Sequence, residues 1–303
     1  MRISDFLKIS LLFVTALLCS CNQNSTLTSL QQELQTIVDK KDATIGIALI
    51  INDTDTLTLN NDIDYPMMSV MKMHQAIHVA RWLQGHGLDS DHMIHIAPED
   101  MKPDTYSPMR DSFPEGDIEL PVKRLLEYTL KLSDNNACDI LFKLTGGPHA
   151  TDSCLRSIGV TDFVITATED DMHRDISKSY ANHTSPLSAA KLINDLFSET
   201  DSVNRSMQFV KQTMLDCSTG LARIPKGIGA DAQIAHKTGT GDQNSQGRWI
   251  GTNDVGYIIL PDGSHYALAV FIKDSSEMPE TNEATIAEIS SVVYHYITTR
   301  HRD

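Results

Sequence analysis

Sulfur is scarce in this chain: it has five cysteines in 303 residues, two of them within the first 21. Past Cys21 only Cys138, Cys154 and Cys217 remain, an odd number at irregular spacing. That is no disulfide framework, and the expectation is buried thiols. No Cys-x-x-Cys pair marks a structural zinc site. Basic clusters are missing as well, since 25 Lys and Arg stand against 40 Asp and Glu, for a formal charge of −15. Such a surface repels phosphate backbones and anionic headgroups, so nucleic acid is discarded as a partner. Beyond residue 21 no apolar run is long enough to cross a bilayer. There is no internal repeat or low-complexity tract. The Gly-x-Gly sequences at 227–229 and 239–241 are not completed to a phosphate-binding fingerprint. His74 and His78 stand four apart, yet no glutamate follows His74 and no third ligand is evident. No metal and no cofactor are expected.

What is present describes a globular protein, with 41% apolar and 21% charged residues over a length that supports one large domain or two packed lobes. Residues 1–20 read as a signal peptide: Arg2 and Lys8 precede an apolar run, Ile9 to Leu18, that is too short to span a membrane. The protein is therefore expected to be exported, to the periplasm. The run ends Leu18-Cys19-Ser20-Cys21, which resembles a lipoprotein cleavage box. Cleavage there would leave a lipidated Cys21 as a membrane tether; a conventional signal peptide is the alternative.

Helical spacing of Leu30, Leu34, Ile37 and Val38 predicts a helix over Thr28 to Lys40. Thr44 to Ile51 and Thr54 to Asn60 are β-rich runs around a turn at Asn52-Asp53. From Ser69 to Val210 the periodicity is helical: Val70 to Leu83, Val122 to Leu132, Ala137 to Leu144, Leu187 to Phe197 and Val203 to Leu215. Strand patterns return at Gln233 to Thr238, Val255 to Leu260 and Tyr266 to Ile272, and a helix from Ala284 to Tyr296 follows. The fold class is α+β. Residues 22–66 and 220–303 would form a discontinuous lobe with a five-stranded antiparallel sheet and terminal helices, while 67–219 would form an all-helical lobe with an Ω-like loop around 166–186. The seam between lobes is a natural cleft.

Ser69-Val70-Met71-Lys72 places a hydroxyl and an amine three apart at the start of a helix, on one face. A serine hydroxyl attacks only when a base takes its proton. Taken alone this motif is weak, and Ser188-Ala189-Ala190-Lys191 repeats it on a helix surface. Its company makes it specific. Ser133-Asp134-Asn135 follows a predicted helix, and Lys237-Thr238-Gly239 lies on a predicted strand. Ser133 can pass a proton to a leaving nitrogen and Asn135 can hold a substrate amide. Lys237 supplies positive charge and Thr238 a donor for a carboxylate, while Gly239 leaves the strand edge open to substrate. The alternative makes Ser133 and Asn135 a helix cap and Lys237 a solvated strand residue.

These three motifs in this order resemble the class A serine β-lactamases, from about Thr44 to the C-terminal helix. Tyr65-Pro66-Met67-Met68 is most similar to the extended-spectrum, cephalosporin-hydrolysing branch. The resemblance implies a hydrolase acting on β-lactam substrates through an acyl-enzyme on Ser69, conferring antibiotic resistance, as a monomer. It assigns catalysis to Ser69, Lys72, Ser133, Glu169 and Lys237, and substrate binding to Tyr106, Asn135, His173, Arg223, Thr238, Gly239 and Thr240. Glu169, in Thr168-Glu169-Asp170-Asp171, would activate the water that frees the acyl group. Penicillin-binding transpeptidases and D-Ala-D-Ala carboxypeptidases, the alternative reading, share the three motifs without that glutamate. A solvated acidic run is the other reading of the same residues. Lys72 and Glu169 both remain open as the acylation base. The resemblance puts the oxyanion hole at the backbone N–H groups of Ser69 and Thr240.

The chain also departs from the family pattern. His173 stands where asparagine is common, and Ala167 and Asn182 replace the ion pair that often clamps the loop. Gly247 falls near the place of a usual arginine, for which Arg223 substitutes.

Overall fold

In a computed structural model, residues 27–198 and 204–300 of the chain are described. The signal-peptide and lipidation expectations, on residues 1–21, lie outside them. Five strands form one antiparallel sheet: β1 (Thr44–Ile51), β2 (Asp55–Leu59), β3 (Gln233–Thr240), β4 (Trp249–Ile259) and β5 (His265–Ser275). The spatial order is β2-β1-β5-β4-β3, so the N-terminal hairpin and the three C-terminal strands share one sheet. The β1–β2 turn works because Asn52 and Asp53 both take positive φ, 47° and 62°, as a tight hairpin turn requires.

Side-chain alternation sorts β1 between two cores. Ile45, Ile47, Leu49 and Ile51 face helix α1 (residues 27–38) and the C-terminal helix, which contributes Ile286, Ile289, Val293 and Ile297. Ala48 and Ile50 face the other way, into a core shared with the helical region. Both faces of the sheet are covered, so its central strands are apolar on both sides.

The helical region surrounds α2 (Met71–Gly85), which is buried on nearly every side. Against it pack α3 (Val122–Lys131), α4 (Asn135–Thr145), α5 (Pro148–Ser157) and, beyond a short α6 (Glu169–Arg174) and α7 (Pro186–Ser198), α8 (Arg205–Leu215). Helix α9 (Pro279–Arg300) closes the fold. β4 begins at Trp249, well before Val255, and α5 was not predicted, because its apolar stripe reduces to the buried Leu155 with Thr151. Among the described residues no helix is long and apolar enough to cross a membrane.

Candidate active site

Ser69 sits in a tight turn, Met68–Val70, that feeds directly into α2. Met68 before it holds φ at +48°, a region non-glycine residues rarely enter. Strain of this kind persists only where surroundings impose it. Here the imposing groups belong to the sheet: Asn253 on β4 donates from Nδ2 to the carbonyls of Pro66 at 2.8 Å and Met67 at 3.2 Å. On β3, a Cβ added to Gly239 would stand 2.5 Å from the Met67 carbonyl oxygen. Glycine is thus required at 239 because the backbone before Ser69 passes against it.

Lys72, one turn on, is completely buried. Its Nζ donates to the Ser133 carbonyl at 2.7 Å and to Asn135 Oδ1 at 2.7 Å, and lies 2.9 Å from Glu169 Oε1. The same Glu169 oxygen accepts from Ser69 Oγ at 3.4 Å. Ser133 takes a left-handed conformation, φ +59°, at the junction of α3 and α4. Its hydroxyl accepts from Lys237 Nζ at 3.0 Å. Asp134 beside it is buried and caps α4 through Ala137 N, while also accepting from Met109 N and Ser107 Oγ. Burial raises the Asp134 carboxyl despite these donors.

Lys237 stands on the edge strand β3, fully buried, and burial lowers its pKa to about 8, with Lys72 adding repulsion. Ser69, Lys72, Ser133, Glu169 and Lys237 are therefore one connected polar cluster. Its open side is a cavity of about 320 Å³ whose lining includes Ser69, Ser133, Glu169, Arg223, Thr238 and Thr240. Tyr106, more than half exposed, stands at its rim, and its carbonyl accepts from Asn135 N at 3.0 Å.

Arg223 arrives from the chain between α8 and β3 and is almost wholly buried. It donates to the carbonyls of Gly239 and Asn253, to Thr240 Oγ1 at 2.7 Å, and pairs with Glu283. The guanidinium thus braces the end of β3 while adding positive charge to the cavity wall. His173 is placed apart from this group. It is exposed on α6 and lines a second cavity of about 320 Å³, shared with Lys102, Asp104, Asn135, Glu169 and Arg174.

Two residues anchor the loop that carries Glu169. Asn182 is fully buried; its Oδ1 accepts from Thr166 N at 2.8 Å and Ala167 N at 2.9 Å, and its Nδ2 donates to the Ala167 carbonyl. A neutral amide thereby does the work of the missing ion pair. Asp139 on α4 caps α6, accepting from Glu169 N at 2.8 Å and Asp170 N at 2.9 Å. Burial, and then the Glu169 charge, push the Asp139 pKa up to about 7. Neither Asn253 nor Asp139 is marked by a sequence pattern, because each acts on backbone groups far away along the chain.

The chain matches the β-lactamase enzyme family over residues 29–297. It is 40% identical to a β-lactamase of Phocaeicola vulgatus over 269 residues, covering 88% of this chain and 84% of the relative. It is 34% identical to the extended-spectrum β-lactamase PER-1 of Pseudomonas aeruginosa over 268 residues, covering 88% and 87% of the two. The crystal structure of a class A β-lactamase from Bacteroides cellulosilyticus superposes with a TM-score of 0.85 at 34% identity, covering 90% of this chain and 99% of that one.

Proposed function

The chain belongs to the β-lactamase enzyme family, in its serine-dependent class A, and we propose that Ser69 opens the lactam as nucleophile while Glu169 directs the water that releases the product. It is a hydrolase of the β-lactam amide bond. The observation that carries the residue roles is the chain of contacts Ser69 Oγ–Glu169 Oε1–Lys72 Nζ.

Substrate would enter the cavity with its carboxylate toward Lys237 and Thr238, with Arg223 adding charge behind Thr240. Backbone N–H groups of Ser69 and Thr240 would hold the carbonyl oxygen as it becomes an anion, an effect worth about 3–4 kcal/mol per donor. Ser69 Oγ gives up its proton as it attacks the carbonyl carbon, the C–N bond breaks, and the nitrogen takes the Ser133 proton. The proton from Ser69 returns to Ser133 through Lys72 Nζ, 2.9 Å from Glu169 Oε1 and 3.5 Å from Ser133 Oγ, which leaves Glu169 ionised. Glu169 and Lys72 both stand in the contact chain from Ser69 Oγ as candidate bases for acylation. Lys72 Nζ lies within hydrogen-bond distance of Ser133 O, Asn135 Oδ1 and Glu169 Oε1. Glu169 Oε1 is within reach of Oγ itself. Glu169 then activates water against the ester.

Cephalosporins are the proposed preferred class, supported by the likeness to a relative named extended-spectrum and by the hydroxyl of Thr240 at the open edge of β3. Residues 1–20 support export, with lipidation of Cys21 as its finer form, and the protein is proposed to act as a monomer.

The Glu169→Ala variant is expected to acylate and then stall, with nitrocefin turnover lowered about 10²- to 10⁴-fold. Intact-protein mass spectrometry should show a persistent covalent adduct. An E169A variant that turns over at the parent rate would falsify the assignment of Glu169. A parent enzyme that nitrocefin acylates and blocks would instead point to the carboxypeptidase reading.

A further inference from the structure

Behind the carboxylate end of the pocket lies a second cluster of reactive groups that the hydrolytic mechanism leaves unused. Asp254 on β4 is completely buried and accepts from His236 Nδ1 at 3.0 Å and from Ile224 N at 3.1 Å. His236, its diagonal neighbour on β3, is also buried, and its ring hydrogen-bonds the thiol of Cys217. Cys217 follows α8 and is partly exposed. A carboxylate, an imidazole and a thiol in that order form the relay by which a histidine activates a cysteine. We propose that Cys217, His236 and Asp254 form a thiol modification site that takes small disulfides and, once occupied, shuts β-lactam turnover down.

The chemistry of the sulfur differs from that of the other described cysteines. Burial raises the thiols of Cys138 and Cys154. Burial acts on Cys217 too, but His236 and then Lys237 outweigh it and bring the thiol down to about 7. Burial would discharge His236, yet the Asp254 carboxylate holds its pKa up at about 10. Imidazolium and thiolate thus coexist near neutral pH. The charged groups bearing on the sulfur are His236 and Lys237 from β3, with Asp254 of β4 acting through the ring.

In the proposed step the Cys217 thiolate attacks one sulfur of a symmetric disulfide. One S–S bond forms, the old one breaks, and the departing thiolate takes the proton held on His236. Cys217 is oxidised to the mixed disulfide and the released half is reduced to a thiol. Cys217 is partly exposed, and the residues on either side of it, Asp216 and Ser218, line a cavity of about 260 Å³.

The consequence for turnover follows from packing. Cys217 Sγ lies 3.4 Å from Thr219 Oγ1, which lies 2.9 Å from Thr238 Oγ1. Space is tight there, since a Cβ on Gly220 would come within 2.3 Å of Thr238 Cγ2. A group attached to Cys217 must push Thr219, and through it Thr238, out of the pocket wall.

The test incubates the full-length protein with hydroxyethyl disulfide, maps the adduct by peptide mass spectrometry and follows nitrocefin turnover. Cys217 is expected to be modified roughly tenfold faster than Cys154, because its thiolate fraction gains more than its nucleophilicity loses. Turnover should fall in step with the adduct and return with dithiothreitol. C217S should keep turnover and lose the sensitivity, and H236Q should slow adduct formation. Should H236Q fail to fold, the pH dependence of the reaction in the unaltered protein decides. Half-maximal rate near pH 7 supports the proposal, and half-maximal rate near pH 9 overturns it. Preferential modification of Cys154, or full turnover by protein modified at Cys217, also overturns it. Adduct mapping needs no assumption about Ser69 or Glu169, so failure of the hydrolytic roles would be seen separately.

Discussion

Lys237 is a completely buried lysine, and its titration follows from that. Burial, with repulsion from Lys72 behind it, lowers its pKa to about 8. The charge that would meet a substrate carboxylate is therefore complete below pH 8 and is lost as pH rises through that value. The expected pH profile of kcat/KM is flat toward neutrality and falls on the alkaline side with an apparent pKa near 8. A profile flat to pH 10 would remove Lys237 from the binding role. Asp139 acts differently, touching no reacting atom. Its two oxygens fix the first two N–H groups of the helix that carries Glu169. D139A should leave that helix start unsatisfied and displace the Glu169 carboxylate. Deacylation is then expected to slow by roughly tenfold to a hundredfold. As a positioning residue, its loss should lower kcat and accumulate acyl-enzyme while leaving the acylation rate nearly unchanged. D139N keeps one acceptor and should recover part of kcat. Equal losses in acylation and deacylation in pre-steady-state measurements would contradict this.

At the scale of the element, the loop from Ile165 to Ser185 is held by an amide where an ion pair is more usual. Asn182 offers an acceptor to two buried backbone N–H groups and a donor to a carbonyl on the same strand of loop. N182A would strand those groups without water, a loss of about 2–4 kcal/mol. The expected outcome is a lower midpoint in urea and raised protease cleavage confined to this loop; unchanged cleavage would show that the clamp does not hold it. This element also shows where the sequence stops being readable. β1 spans the residues its alternation indicates, because nearly every side chain in it is apolar and packs on one core or the other. β4 was only half legible. Its first residues, Trp249 to Asp254, contain Gly, Thr, Asn and Asp, which local preference assigns to a turn. They are strand because Asn253 and Asp254 bond to the backbone of Pro66, Met67 and Ile224, partners that adjacency in sequence cannot reveal. The site divides the same way. Ser69, Lys72, Ser133 and Lys237 sit in short motifs whose spacing is itself the signal. Asp139, Asn182 and Asn253, which place those residues, are single polar residues with no pattern to mark them.

For the whole molecule, the decisive fact is that the sheet is built from both ends of the chain and the helices from its middle. β1 cannot complete its pairing until β5 returns, which closes a loop of about two hundred residues. The inner face of that sheet, through Ala48, Ile50, Ala235, Val255, Tyr257 and Phe271, packs in the same core as Met73, Val79 and Leu126 of the helical region. A sheet and helices that share one core are expected to unfold together, in a single transition. The chain supplies its own reporters, since it holds two tryptophans, Trp82 on α2 and Trp249 at the start of β4. W249F leaves a probe of the helical region, and W82F leaves a probe of the sheet. Both are partly exposed, so each substitution should cost little stability. Urea titrations of the two variants followed by fluorescence should superpose after correction for any common shift, with the same m value. If the Trp82 signal were lost at a lower urea concentration than the Trp249 signal, the helical region would unfold by itself, and the shared core would be two cores in contact.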